Sequence, residues 1–228
     1  MTAPGVMAAP AASAESAASV APAAPAAPAA SATGAAPAAA PASPTAGGLL
    51  IVYSTTDGHT RHIAERLQAR VRAAGVPARL LHLPDCGEAE LAAAGAVVLG
   101  ASIRYGHHKP ELEAFIARHQ ALLERLPNAL FSVNVVARKP GKDLPEGNPY
   151  LQKLLRRITW RPQRLAVFAG RIDYPSLGPL DRTMIRLIMW MTKGPTDPNG
   201  VFEFTDWGRV DAFGDKLAAL LPADAGRR

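Results

Sequence analysis

Apolar residues along this chain fall into two rhythms. Short apolar-rich runs at 49–53, 96–101, 130–136 and 165–170 read as strands, the continuous run at 96–101 as one covered on both faces, and 78–82 as a shorter strand. Between them apolar positions recur three or four apart. Ile63, Ala64, Leu67 and Val71 predict a first helix. Leu112, Phe115, Ile116, His119, Leu122 and Leu123 predict another over 111–126, and a further one spans 149–158. A last helix begins near Thr205 and carries Val210, Phe213, Leu217 and Leu220. A polar link through Pro84 and Gly87 follows the second strand, and a loop rich in Lys, Gly and Pro follows the fourth. Alternating strands and helices mean an α/β fold with a parallel sheet and right-handed crossovers. The arrangement expected is a doubly wound five-stranded parallel sheet of order 2-1-3-4-5. Its ligand would lie beyond the carboxyl ends of strands 1, 3 and 4.

The first of those ends is Ser54-Thr55-Thr56-Asp57-Gly58-His59-Thr60. A strand that breaks into such a loop and then a helix aims backbone N–H groups and the positive end of a helix dipole at one point, which suits a phosphate. Ser54, Thr55 and Thr60 add hydroxyls, and Asp57 is the only carboxylate there. Neither Gly-x-Gly-x-x-Gly nor Gly-Lys-Ser/Thr is present. The order apolar, apolar, aromatic, x, Ser/Thr, two spacers, Gly, x, Thr, three spacers, Ala, two spacers, Leu is filled by Ile51, Val52, Tyr53, Thr55, Gly58, Thr60, Ala64 and Leu67. This resembles the flavodoxin signature. The resemblance implies a flavodoxin-like fold and FMN bound non-covalently.

The other two loops extend the candidate site. After strand 3 come Ala101, Ser102, Ile103, Arg104, Tyr105 and Gly106. Small residues admit a flat ring, Tyr105 can stack on it, and Arg104 can bind an acid. After strand 4 come Asn134, Val135, Val136, Ala137, Arg138 and Lys139. There Asn134 offers a donor and acceptors to the edge of an isoalloxazine, and Arg138 and Lys139 add charge. His59 is read as shaping the phosphate loop and His107 as facing the flavin.

The strings at 100–107, 132–140 and 160–162, with Phe204-Thr205-Asp206-Trp207, are similar to those of the flavodoxin-type, quinone-dependent protoporphyrinogen IX dehydrogenases of bacterial haem synthesis. That similarity runs from about residue 49 to 221. It implies oxidation of protoporphyrinogen IX to protoporphyrin IX by hydride transfer to FMN, with a membrane quinone (menaquinone or ubiquinone) as acceptor. It also implies a peripheral protein at the cytoplasmic face of the inner (plasma) membrane. Arg104, Arg138, Lys139 and Arg171 are the candidates for the substrate's propionates, and no residue stands out as a general base.

Residues 174–201 form an insertion far longer than the usual connection. Within it Arg182, Arg186 and Lys193 share one helical stripe. Leu180, Met184, Leu187, Ile188 and Met191 cover the opposite side, with Trp190 at the boundary. This is the pattern of a helix in a membrane interface, so Met184, Leu187, Ile188, Trp190 and Met191 are candidates for lipid or quinone contact. The competing reading is a helix packed on its own domain.

Composition sets the limits. Residues 1–47 hold 23 alanines and 8 prolines, no lysine or arginine and one carboxylate, Glu15. Such a segment cannot bury enough surface to offset chain entropy, and reads as a disordered tail or linker. It has neither the basic start and Leu-rich core of a secretory signal nor the arginines of a mitochondrial presequence. The FMN-binding domain is therefore expected over 48–222, with 223–228 a short tail. The chain is +6 and Glu15 is the tail's one charge, so residues 48–228 carry about +7. That charge suits an acidic membrane surface or a carboxylate-bearing substrate. A nucleic-acid module is disfavoured, because the loops lack aromatics interleaved on a basic face. Cys86 stands alone, which excludes an intrachain disulfide and points to a reducing compartment. No apolar run reaches the roughly 18 residues a spanning helix needs. The histidines lack carboxylates at ligand spacing, so no metal is expected. Two alternatives share the fold: an electron-carrier flavodoxin, typically acidic where this domain is basic, and a quinone reductase fed by NADH or NADPH.

Overall fold

The computed structural model describes residues 47–221. Residues 1–46 and 222–228 lie outside the described residues, and with them all but residue 47 of the tail expected at 1–47 and the whole of that expected at 223–228. β1 (Leu49–Ser54) leads into α1 (His59–Ala73), β2 (Ala78–His82), a five-residue α2 (Glu88–Ala92) and β3 (Ala96–Arg104). β4 (His107–His108), α3 (Pro110–Arg125), β5 (Asn128–Asn134), α4 (Pro149–Arg157) and β6 (Arg164–Ala169) follow. The chain then runs through β7 (Arg171–Asp173), α5 (Pro179–Met191), β8 (Val201–Glu203) and α6 (Trp207–Ala218).

The main sheet has the order β2-β1-β3-β5-β6, all parallel, with β4 pairing antiparallel to the end of β3. This is the expected 2-1-3-4-5 order once the two-residue β4 is set aside. Strand parity builds the two faces. Leu49 and Ile51 pack against α1 and α6, while Leu50 and Val52 point the other way, into the layer of α3 and α4. Gly100 is required where Phe131 crosses β3, because a Cβ there would meet the ring at 2.1 Å.

Two differences from the sequence reading have simple causes. The link through Pro84 and Gly87 contains α2, too short for periodicity to reveal. The insertion is closed at its base by a two-stranded antiparallel sheet of β7 and β8, each three residues long. α5 packs on that base through Ile185 and Met189, next to Ile172 and Tyr174. It ends in a Schellman turn: Gly194 N donates to Met189 O (2.7 Å) and Lys193 N to Trp190 O (3.2 Å). Lys193 takes the left-handed position at φ 55° where glycine is usual.

Candidate functional site

The carboxyl ends of β1, β3 and β5 lie side by side. Ser54 pairs with Ala101, and Ser102 with Val133. At the first end Gly58 adopts φ 82°, ψ −20°, which turns the loop into α1 and supplies no capping side chain. The first-turn N–H groups of α1 are thus left for a ligand. Thr55 Oγ1 accepts from Gly58 N at 3.1 Å, and the Lys109 ammonium donates to Thr55 O at 2.8 Å. Asp57, the loop's one carboxylate, is neutralised by Arg104 at 2.6 and 2.8 Å. Ser54 is buried, and Thr56 is exposed beside Ser102, with their hydroxyls 3.5 Å apart. Thr60 Oγ1 and His59 Nδ1 are buried and have no protein partner among the described residues. The local fit to an anion is therefore good: a neutralised carboxylate, free amides, and a buried hydroxyl that needs an acceptor.

The second end is a hairpin, a feature the sequence reading treats as a plain loop. Tyr105 (φ 50°) and Gly106 (φ 80°) form a two-residue turn with both φ positive, between the paired Arg104 and His107. Such a backbone is costly for an aromatic residue, and Tyr105 is held in it by a hydrogen bond from its hydroxyl to Asp181. Ala101 is buried, Ser102 and Ile103 are half-buried, and His107 is exposed with its ring on Tyr105 O at 3.1 Å. The neighbouring His108 is buried against Ser132 Oγ at 3.0 Å, and burial lowers its pKa to about 4.

At the third end the expectation for Asn134 needs correction. Its side chain is 4% exposed and makes three hydrogen bonds within the protein. Oδ1 accepts from Ala137 N (3.0 Å) and from Asn148 Nδ2 (3.2 Å), and Nδ2 donates to Asn148 Oδ1. Asn134 therefore shapes the turn Val135–Arg138, its Oδ1 is taken, and one N–H of Nδ2 is what it keeps for a ring edge. Val135 and Val136 remain half-exposed at the surface of that turn, and Ala137 is buried.

Comparison with known proteins follows this geometry. A family model described as a flavodoxin domain matches residues 50–199. Protoporphyrinogen IX dehydrogenase [quinone] of Escherichia coli K12 is 42% identical over 171 residues, covering 75% of this chain and 94% of its own. The protein of the same name from Leishmania major is 40% identical over 173 residues, 75% of this chain and 74% of its own. The chain belongs to this flavodoxin-domain family. Among solved structures, oxidised flavodoxin 1 from Bacillus cereus matches at 14% identity and TM-score 0.45, over 76% of this chain and 99% of that one. Flavin binding comes with the family.

The four cations proposed for the substrate's acids are not equivalent. Arg104 is bound on both sides, to Asp57 and to Asp181 at the start of α5, so it is a bridge and not a free acid-binding group. Arg138 donates to Val135 O (3.1 Å) and to Thr192 O (3.2 Å) and Oγ1 (3.1 Å) at the end of α5, 5.9 Å from the Phe204 ring centre. Arg171 is paired with Asp173 at 2.7 Å. Only the Lys139 ammonium has no protein partner among the described residues. α5 is thus gripped at both ends by the second and third loops.

The charge pattern of α5 is also corrected. Arg182 turns inward and donates to Tyr174 O (3.0 Å), Pro175 O (3.2 Å) and Leu177 O (3.1 Å), while Arg186 reaches Thr196 O at 2.9 Å. Leu180, Met184, Leu187, Trp190 and Met191 face outward, from 43% to 79% exposed, and Ile188 is half-buried. Sequence reasoning missed Lys109, Asn148, Asp181 and Thr192, and named Thr205 without giving its side chain a role. Of these only Asn148 carried a readable signal, as a helix cap directly before Pro149.

Proposed function

We propose that the protein is an FMN-dependent protoporphyrinogen IX dehydrogenase that passes electrons to a membrane quinone from the cytoplasmic face of the inner membrane. The observation that carries this reading is the 42% identity over 94% of a curated relative of that name. The site supports it. The Thr60 hydroxyl, the amides of the 54–60 loop and the first turn of α1 would hold the FMN phosphate, and the Tyr105–Gly106 turn with Val135 and Val136 would flank the ring. A bound FMN would supply the redox chemistry, a site for hydride from the porphyrinogen and for reduction of quinone. The chain supplies orientation. Arg104 cancels Asp57 so that the seat does not repel phosphate, and Lys139 is the group free to meet a propionate.

The exposed apolar face of α5 supports peripheral contact with an anionic lipid surface. Arg182, Arg186 and Lys193 lie on the other side of the helix, and the carbonyls that hold the arginines leave their positive charge uncancelled. Among the described residues no helix is long and apolar enough to cross a membrane.

The test is anaerobic. Protoporphyrinogen added to the purified yellow protein should bleach the flavin and raise porphyrin fluorescence, and quinone should restore the colour. Bleaching by NADH or NADPH with no response to protoporphyrinogen would replace this reading with that of a nicotinamide-fed reductase.

A further inference from the structure

We infer that His59 takes up a proton at Nδ1 when the flavin phosphate binds, and so becomes the counter-charge of that phosphate. The inference rests on the FMN reading above and deepens it. His59 and Thr60 open the 15-residue α1, and the two buried polar atoms there that lack a protein partner among the described residues are His59 Nδ1 and Thr60 Oγ1. The His59 side chain belongs to a residue only 8% exposed.

Its tautomer is fixed by a chain of hydrogen bonds. Thr205 Oγ1 donates to Ala169 O at 2.9 Å, so its one proton is committed. The 2.6 Å contact between Thr205 Oγ1 and His59 Nε2 therefore has Nε2–H as donor. In the neutral ring Nδ1 is then a bare acceptor, and it becomes a donor only by protonation. This gives the Phe204-Thr205-Asp206-Trp207 string a purpose: Thr205 orients the ring from the start of α6.

The groups around the ring leave it without an anionic partner. His62 on α1 lies 6.3 Å away between ring centres, and Trp207 on α6 lies 6.0 Å away. Glu203 on β8 is held by Trp207 Nε1 at 2.6 Å, and Arg171 on β7 is paired with Asp173. Burial is the largest influence and lowers the His59 pKa. His62 and Arg171 act in the same direction, and Glu203 opposes them. A phosphate of charge about −1.5 to −2 at the α1 terminus reverses that balance, because an adjacent anion favours the charged ring. The proton comes from solvent and the binding reaction consumes it, so affinity rises as pH falls, by up to about tenfold per pH unit. Below about pH 6 the gain stops as the phosphate itself protonates.

Calorimetry tests this on the full chain stripped of flavin, at pH 7.5, in two buffers of different ionisation enthalpy. The wild type should take up close to one proton with FMN and none with riboflavin, which lacks the phosphate. His59→Gln should bind FMN about tenfold or more weakly, with no uptake. Tight FMN binding by the wild type with no proton uptake, or equal uptake with riboflavin, overturns the inference whatever the variant does. If neither flavin binds, the FMN reading itself fails.

Discussion

Replacing Leu187 and Trp190 together by Asp should detach the protein from anionic vesicles and leave its fold and flavin intact. Both side chains face outward on α5, Leu187 at 49% and Trp190 at 71% exposed. Full burial of a large apolar side chain is worth about 1.5–3 kcal/mol, so covering the free half of Leu187 contributes roughly 1 kcal/mol. The larger free share of Trp190 contributes roughly 2 kcal/mol on the same scale. Each new carboxylate also meets an anionic surface, at a cost of about 1 kcal/mol. The sum, roughly 4–5 kcal/mol, lowers the partition coefficient by about a thousandfold, since 1.4 kcal/mol is a factor of ten. Neither residue belongs to the cluster of Ile172, Tyr174 and Met189 that fixes α5. Co-sedimentation with phosphatidylserine-containing vesicles, read beside flavin absorbance on the same samples, is the assay. A wild type that ignores vesicles refutes the docking reading. A double variant that loses flavin and unfolds refutes the claim that this face is free.

Two further outcomes follow from buried polar groups. Thr60→Val should leave unfolding stability unchanged or raise it by up to about 1 kcal/mol, because the lost hydroxyl has no protein partner among the described residues; flavin affinity should fall about tenfold or more, so denaturation and flavin titration would move in opposite directions. His108, with its pKa lowered to about 4 by burial, is neutral in the folded protein where the unfolded chain protonates near pH 6.5, so its contribution is present above pH 6.5 and lost as pH falls towards 4. Urea unfolding at pH 7 and pH 4.5 should show that loss, roughly 2–3 kcal/mol at most, and His108→Gln should shrink the difference between the two pH values.

The main sheet was legible because its signals are local. Continuous apolar runs mark doubly covered strands, and the 54–60 loop carries its residue types at fixed spacing. The β5 start was misplaced by two residues because Asn128 is polar yet 1% exposed. Its amide donates to Leu123 O and Leu126 O, and its oxygen accepts from Gln163 N, partners that a polarity pattern does not show. Asn134 has a second partner that its position does not announce, since Asn148 reaches it only through the tertiary fold. The same holds for Arg104, whose two carboxylates sit 47 positions before it and 77 after it. On α5 the outward apolar face was read correctly, but Arg182 and Arg186 were not free. The carbonyls of Tyr174, Pro175, Leu177 and Thr196 take them up, and nothing in the pattern of side chains announces a backbone acceptor.

These bonds make the insertion part of the site. A 13-residue helix is about 20 Å long, and α5 spends that length between two of the three loops. Its first turn carries Asp181, which receives Arg104 and the Tyr105 hydroxyl from the hairpin after β3. Its last turn ends at Thr192, which receives Arg138 from the turn after β5; the guanidinium there also meets the negative end of the helix dipole. The chain Asp57–Arg104–Asp181 continues the connection into the 54–60 loop. The groups that hold α5 are thus the same loops that would flank the flavin, and its outward face is left apolar. A surface that captures α5 through Leu187 and Trp190 would hold the cofactor loops at the same depth, and an acceptor dissolved in lipid need not leave the bilayer far to reach them. In that arrangement the polar ends of α5 would fix the distance, and the apolar face would fix the side from which the acceptor comes.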